Sequence, residues 1–407
     1  MEFPTLDGID VRGKTVLVRV DINSPIDPET KEIIDDTRFR ECAPTIRELS
    51  QKGAKVVVLA HQGRPGSEDY TSLGKHARKL EEILGTEIKY VDDVCGSRAI
   101  KTIRELKPGE ILLLENVRSI PEEMAKLTPD EHARSEFVKK LSEVTDLFVN
   151  DAFGAAHRGQ ASLVGFALRL PACAGRLMER ELKGLGKARD PEHPCVYVLG
   201  GLKIDDSLTI TEHVLSREIA DSVLVGGVVG HAVLVAAGYD LGKPNIEFLR
   251  KKCYGGEIER AKKLLETYGE KIKHPLDVAV DEGGKRKELE VDQLPTEFLI
   301  LDIGKRTVEE FSSRIKEAKT VVANGPLGAF ESPQFAEGTF GVLNAMAKSD
   351  AFTVIGGGHI VAAARGSGVL DKIKHVSTGG GACINFLSGR SMPAIDVLVK
   401  RKTVTDP

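Results

Sequence analysis

The sequence predicts an α/β protein of two doubly wound, parallel-sheet, Rossmann-like domains. Three observations carry that expectation. The chain has 407 residues, and a single core rarely grows past ~250–300 residues. Short runs of Val, Ile and Leu, apolar at nearly every position, recur between longer segments of helical character, as in parallel strands buried on both faces. Polar or glycine-rich stretches follow directly on those runs, at the strand ends where open α/β sheets hold ligands.

Taken in order, Val16-Leu17-Val18-Arg19-Val20 is the first strand, rich in β-branched residues. It ends in the polar turn Asp21-Ile22-Asn23-Ser24-Pro25. The preceding Gly8-Ile9-Asp10-Val11-Arg12-Gly13-Lys14-Thr15 spells the phosphate loop G-x-x-x-x-G-K-[ST]. That motif needs a strand before it and a helix after it. Here a strand follows, so the match is coincidental. Residues 37–52 read as a helix with Arg38 near its start. A strand at 56–60 runs into His61-Gln62-Gly63-Arg64-Pro65, and a helix follows at 72–84. The strand at 110–114 leads to Glu115-Asn116-Val117-Arg118. After a helix at 129–144, the strand at 146–149 leads to Asn150-Asp151-Ala152-Phe153-Gly154-Ala155-Ala156-His157-Arg158.

An amphipathic helix at 174–189, stopped by Asp190-Pro191-Glu192-His193-Pro194, marks the domain boundary. The second half opens with Cys195-Val196-Tyr197-Val198-Leu199 and Gly200-Gly201-Leu202-Lys203. Strands follow at 222–225, 277–280, 298–301, 320–323, 353–355 and 374–376. Four strand exits carry glycines: Gly200-Gly201, Gly226-Gly227, Gly356-Gly357-Gly358 and Gly379-Gly380-Gly381. Without Cβ atoms such turns let a ligand approach closely, and the helix that follows offers free N–H groups to phosphate. Ordinary tight turns are the plainer reading of any one of them.

Bulk composition narrows the function. The net charge is −4, with 41% hydrophobic and 29% charged residues. This describes a globular protein with no nucleic-acid partner bound through overall charge. No apolar run approaches the ~20 residues of a membrane span. Met1-Glu2-Phe3-Pro4 does not open a signal peptide. The six cysteines lack any C-x-x-C pair and read as reduced thiols of a cytoplasmic protein. Against that acidic background, Asp21/Asn23, His61/Arg64, Arg118 and His157/Arg158 all lie just past strand ends. Cations converging there point to a small polyanion, which the arginine fork suits. One half built for a polyanion and one for nucleotide phosphates indicate phosphoryl transfer across a cleft, achieved by positioning and charge neutralisation. Arg38 and Lys203 are the candidates to neutralise the moving group. Domain closure is expected, to exclude water.

These motifs together resemble the phosphoglycerate kinase family over nearly the whole chain. The resemblance rests on Arg19-Val20-Asp21-Ile22-Asn23, His61-Gln62-Gly63-Arg64-Pro65, Leu114-Glu115-Asn116-Val117-Arg118 and Val149 to Arg158. In the second half it rests on Leu199 to Lys203, Asn324-Gly325-Pro326-Leu327-Gly328-Ala329-Phe330-Glu331, Gly356 to Gly358 and Ser377 to Ala382. It implies two domains facing each other across a cleft. It also implies reversible transfer of the acyl phosphate of 1,3-bisphosphoglycerate to Mg-ADP, giving 3-phosphoglycerate and ATP. By resemblance, Asp21, Asn23, Arg38, His61, Arg64, Arg118 and Arg158 hold the phosphoglycerate. Arg38, Lys203, Gly357 and Gly380 stabilise the transferring group. Gly200, Gly201, Lys203, Gly226, Gly227, Gly304, Asn324, Glu331, Gly357, Gly358, His359 and Ile360 bind the nucleotide. The domains expected are 1–173 for phosphoglycerate, 174–190 as interdomain helix, 191–385 for nucleotide, and 386–407 packing back on the first.

Two positions depart from the bacterial and eukaryotic pattern. His359 replaces an Asp that engages the nucleotide's magnesium, and Ser207 replaces a second lysine; both fit an archaeal-type member. Magnesium prefers oxygen ligands, so the metal ligand stays open, with Asp205 or Asp206 as candidates. The oligomeric state stays open between a monomer and a small homo-oligomer. A nicotinamide dehydrogenase built on Gly226-Gly227-Val228-Val229-Gly230 leaves the cationic half unexplained. A catalytically silent phosphometabolite binder is opposed by Arg38 and Lys203.

Overall fold

The computed structural model describes residues 2–252 and 256–400. They divide into two compact units, one running to Lys183 and resuming at Ser391, the other Gly184–Arg390. The helix Arg176–Arg189 passes from one to the other.

In the first unit the strands are β1 (Thr15–Val20), β2 (Lys55–Leu59), β3 (Ile88–Tyr90), β4 (Ile111–Leu113), β5 (Leu147–Asp151) and β6 (Ala172–Ala174). They form one parallel sheet in the order β3-β4-β2-β1-β5-β6. Every residue of β1 and β5 is buried, as strands covered by helices on both faces must be. The core gathers Val16, Val18 and Val20 of β1, Val56 and Val58 of β2, and Phe39, Ile46 and Leu49 of the helix Thr37–Gln51. The sheet winds outward in both directions from β1 and β5, and a crevice opens at such a reversal.

The second unit repeats the plan. Its strands are β7 (Cys195–Leu199), β8 (Ser222–Val225), β9 (Ile272–Lys273), β10 (Asp277–Glu282), β11 (Lys285–Glu290), β12 (Ile300–Ile303), β13 (Thr320–Asn324), β14 (Phe352–Gly356) and β15 (His375–Ser377). Six are parallel in the order β15-β14-β13-β7-β8-β9. The reversal here lies between β7 and β13.

The expected α/β class and parallel sheets are found, with two differences of detail. The strands expected at 277–280 and 298–301 belong to a separate antiparallel sheet, β11-β10-β12. Gly283 and Gly284, at φ +64° and +84°, join Glu282 to Lys285 in a two-residue hairpin turn. Both left-handed positions suit a turn whose twist matches the strands. The helix expected at 129–144 is two, Pro129–Ala133 and Glu136–Ser142. Ser135 is extended at φ −63°, ψ 152°, and its hydroxyl accepts from the Val138 N–H at 3.4 Å. A serine that caps a new helix ends the one before it.

Candidate active site

In the first unit, β1 delivers Asp21 and Asn23, β2 delivers His61 and Arg64, β4 is followed by Arg118, and β5 by Arg158. Arg38, the second residue of the helix Thr37–Gln51, is ion-paired with Asp21. Gly154 lies against that pair, so a Cβ there would meet the Asp21 carboxylate and come within 2.9 Å of Arg38 Nη1. The Asn23 side chain accepts from the Gly63 N–H at 2.8 Å, and Arg118 Nη1 donates to the Gly63 carbonyl. All seven expected residues therefore gather at one sheet edge around the β1/β5 reversal.

Beneath them lies a layer the sequence did not single out. Arg19 is fully buried. Its Nε donates to Ser162 Oγ at 2.8 Å, and its Nη2 meets His61 Nδ1 at 2.9 Å. The Ser162 hydroxyl donates to Glu123 at 2.7 Å, and the Ser162 N–H donates to the other carboxylate oxygen at 2.7 Å. Burial raises the Glu123 carboxyl, and Arg19 opposes it. A charged residue inside an otherwise apolar strand was the available signal for Arg19; nothing in the sequence signals Glu123.

The charge balance of this edge is positive. Burial, then the charges of Arg19, Arg118, Arg158 and Arg38, hold His61 well below the usual imidazole range. Burial, then Arg158 and Arg19, lower Arg118 to about 10, and its buried Nε has no hydrogen-bond partner. Arg158 is lowered by burial, with Arg64 and Arg38 adding repulsion. A neutral imidazole has one donor and one acceptor nitrogen. With Arg19 donating to Nδ1, the ring proton sits on Nε2, facing Arg158 Nη1 at 3.3 Å. Two donors are opposed there. An anion accepting from both would relieve the conflict and the repulsion among the guanidiniums.

In the second unit a pocket of about 510 Å³ collects the glycine turns. Of the expected nucleotide and transfer residues, it is lined by Gly200, Gly201, Lys203, Gly227, Asn324, Glu331, Gly357, Gly358, His359, Ile360 and Gly380. Gly226 and Gly304 are not in its lining. Gly226 packs on Leu327, and a Cβ on Gly304 would strike the Asp277 carboxylate. The lining also includes Val228, and with it His231, Phe248, Ile300 and Leu301, four residues that no motif marked.

The four glycine turns do different work. The N–H groups of Gly200, Gly201, Gly226 and Gly227 donate to Asn324, Pro326, Leu199 and Leu327 carbonyls at 2.9, 2.7, 3.0 and 2.8 Å. Those amides are spent inside the fold. A Cβ on Gly200 would strike the Pro326 carbonyl, so these turns contribute close packing at the β7/β13 reversal. The triplets differ. Gly357 (φ +104°) leads the helix Gly358–Gly366, and Gly380 (φ +52°) leads Gly381–Leu387. First-turn N–H groups of a helix have no intrahelical acceptor. Asn324 Nδ2 donates to the Gly356 carbonyl at 2.6 Å and holds the first triplet in place. Lys203, exposed, caps the helix Ile204–Ser216 beside them.

Metal donors are sparse. Among the described residues no group of three His, Cys, Asp or Glu could hold a metal ion. Asp206 lines the pocket but pairs with Arg390 at 3.0 Å, and Asp205 pairs with Arg260 at 2.9 Å. That set fits magnesium carried by phosphate oxygens and water with one carboxylate at most, which is its usual habit. No helix among the described residues is long and apolar enough to cross a membrane.

Residues 6–390 match the family model described as phosphoglycerate kinase. The chain is 50% identical over 406 residues to the phosphoglycerate kinase of Methanothermus fervidus, covering 100% of this chain and 99% of that one. It is 51% identical over 398 residues to that of Methanothermobacter thermautotrophicus, covering 98% and 97%. Among solved structures, phosphoglycerate kinase from Pyrococcus horikoshii superposes with a TM-score of 0.88 at 44% identity, covering 98% of each chain. That of Coxiella burnetii gives 0.86 at 32%, covering 99% and 100%.

Proposed function

Since the chain belongs to the phosphoglycerate kinase family, we propose that the two sheet-edge sites divide its reaction between them. That reaction is the reversible transfer of the acyl phosphate of 1,3-bisphosphoglycerate to ADP, a step of glycolysis and gluconeogenesis. The family works with ADP, ATP and Mg2+ as a general property. Asp21, Asn23, Arg38, His61, Arg64, Arg118 and Arg158 bind the phosphoglycerate. The pocket of the second unit binds the nucleotide. The carrying observation is the surplus of guanidinium charge around His61, with one donor–donor contact that a bound anion would resolve.

In-line transfer leaves the protein little covalent work. His61 and Arg158 orient the acceptor, and Arg118 offers an unused Nε. The Arg38–Asp21 pair holds one guanidinium at fixed reach, and Lys203 supplies a second cation. The first-turn amides after Gly357 and Gly380 stabilise charge on the equatorial oxygens. Magnesium, when bound, would neutralise the nucleotide phosphates, and Asp206, a carboxylate of the pocket lining, would help to hold it through water. Residues 1–173 would form the phosphoglycerate domain, 174–190 the connecting helix and 191–385 the nucleotide domain. Residues 386–407 would complete the first domain; 401–407 lie outside the described residues. None of the five described cysteines is in a disulfide and four are buried, which supports a reducing, cytoplasmic setting.

The test is a coupled assay with 3-phosphoglycerate and Mg-ATP. Turnover is expected in the wild type and a loss of orders of magnitude in Lys203→Ala. A folded wild type without turnover would remove the reading.

A further inference from the structure

The loop that leaves β13 crosses the strand ends of the second unit in turn. The Gly201 N–H, after β7, donates to the Pro326 carbonyl at 2.7 Å, and the Gly227 N–H, after β8, donates to the Leu327 carbonyl at 2.8 Å. The Ala329 N–H then donates to the Leu301 carbonyl of β12 at 2.7 Å. The path runs away from the triplets after β14 and β15. At its far end Gly328, Ala329 and Glu331 line the pocket together with Ile300 and Leu301. Between β13 and the helix Glu337–Lys348 the loop holds one short helical turn, Pro333–Phe335. Its shape therefore depends on what grips it.

Arg286 of β11 and Asp302 of β12 grip it from behind. Neither lines the pocket. The Asp302 side chain has no exposed surface and that of Arg286 is 12% exposed. Arg286 Nη1 donates to Asp302 Oδ2 at 2.9 Å and to the Gln334 carbonyl at 3.0 Å. Its Nη2 donates to the Ile303 carbonyl at 3.0 Å. Asp302 Oδ2 also accepts from the N–H of Gly338, in the first turn of the helix that ends the loop, at 2.8 Å. Gly328 and Gly338 close on the same carboxylate, and a Cβ on either would strike Asp302 Oδ1. Neither glycine has a positive φ, so both are there for room. A guanidinium fork and a carboxylate give directional, charge-assisted bonds, and here they fix the loop at Gly328, Gln334 and Gly338. Phosphates belong at the triplets, which leaves the loop's far end for the nucleoside. We propose that Arg286 and Asp302 are positioning residues for the nucleoside end of the nucleotide, holding Gly328, Ala329 and Glu331 in their binding shape. The proposal rests on the assignment of this pocket to the nucleotide.

The test sets ATP against tripolyphosphate, which has phosphates and no nucleoside, in wild type, Asp302→Asn and Arg286→Lys. KM for ATP should rise about tenfold in Asp302→Asn, the factor one charge-assisted bond supplies. It should rise less in Arg286→Lys, which keeps the charge and loses the fork. The inhibition constant of tripolyphosphate against ATP, KM for 3-phosphoglycerate and kcat should all stay within about twofold. Arg286 keeps Glu288 as an ion-pair partner at 3.0 Å when Asp302 is neutral, and if one variant does not fold the other carries the comparison. Glu331→Ala closes a double-mutant cycle. Added to Asp302→Asn, it should cost no more than about twofold beyond the larger single effect. Additive losses, or equal weakening of ATP and tripolyphosphate, would make the pair a general support of the fold and overturn the positioning role. An unchanged KM for ATP in the variants would overturn it as well. If Glu331→Ala alone leaves KM for ATP unchanged, or tripolyphosphate does not compete with ATP in the wild type, the pocket assignment itself falls, and the proposal with it.

Discussion

On the proposed reading the two units hold anion sites built from opposite materials. In the first, side chains do the work: five arginines and a histidine converge where β1 and β5 part. In the second, much of the work falls to backbone: glycine triplets lead into helix N-termini after β14 and β15. The side-chain site carries its cost as charge. His61, Arg118 and Arg158 are all displaced toward their neutral forms by burial and by one another, and a buried layer of Arg19, Ser162 and Glu123 holds the array. The backbone site carries its cost as conformation, with Gly357 and Gly380 at φ values that L side chains rarely adopt. A charged array recognises a particular polyanion by its fork geometry. A row of amides accepts any phosphate, and leaves identity to the walls beyond it.

That contrast can be broken, beginning with the largest effect. Lys203 is the lysine that lines the proposed amide-built site. Lys203→Ala should lower kcat by about 10²–10³ with KM for ATP changed much less, as steady-state kinetics would read. A loss confined to KM would make it a ground-state contact.

Next comes Arg118→Ala, which removes a charged donor from the acceptor side. KM for 3-phosphoglycerate should rise about 10- to 100-fold, while KM for ATP stays put. If both rise together, the two sites are not separable as drawn.

Gly380→Ala tests the conformational cost alone, since a Cβ there has no atom within 4 Å. The φ of +52° with ψ −117° then costs about 1–3 kcal/mol, expected as a roughly tenfold or greater fall in kcat/KM for ATP with phosphoglycerate binding unaffected. Unchanged kinetics would mean the triplet backbone is not used.

The smallest effect is a control outside both sites. Arg176 first, then Lys52, hold the Glu48 carboxyl at about 2, below its usual 4.5. A depressed carboxyl contributes stability above its unfolded pKa and loses it as pH falls through the folded one. The thermal midpoint should therefore drop between pH 4.5 and about 2 in the wild type and less steeply in Glu48→Gln. At pH 7 that variant should lose about 1 kcal/mol, because the pair is partly solvent-screened, and keep full activity.

Periodicity and turn chemistry carried the sheets because each parallel strand is a self-contained apolar run, as in Val56-Val57-Val58-Leu59. The same criterion found the strands at 277–280 and 298–301 but not that they pair antiparallel in a sheet of their own, although Gly283-Gly284 held the hairpin signal. The residues past the strand ends were legible because an acidic chain that concentrates arginine there has few other uses for it. Glu123 and Ser162 were not legible. Each lies in a helix with no distinguishing neighbours, and its meaning comes from what it faces.

The amino-acid order alone determined the class of fold, the strand ends proposed to hold ligands, and the residues gathered there, since these depend on local pattern and on chain continuity. Tertiary structure decided which glycine amides are spent inside the fold and which ring nitrogen of His61 bears the proton. Those are hydrogen-bond balances between segments far apart in the chain, and a balance exists only once both sides have been brought within 3 Å or so of each other.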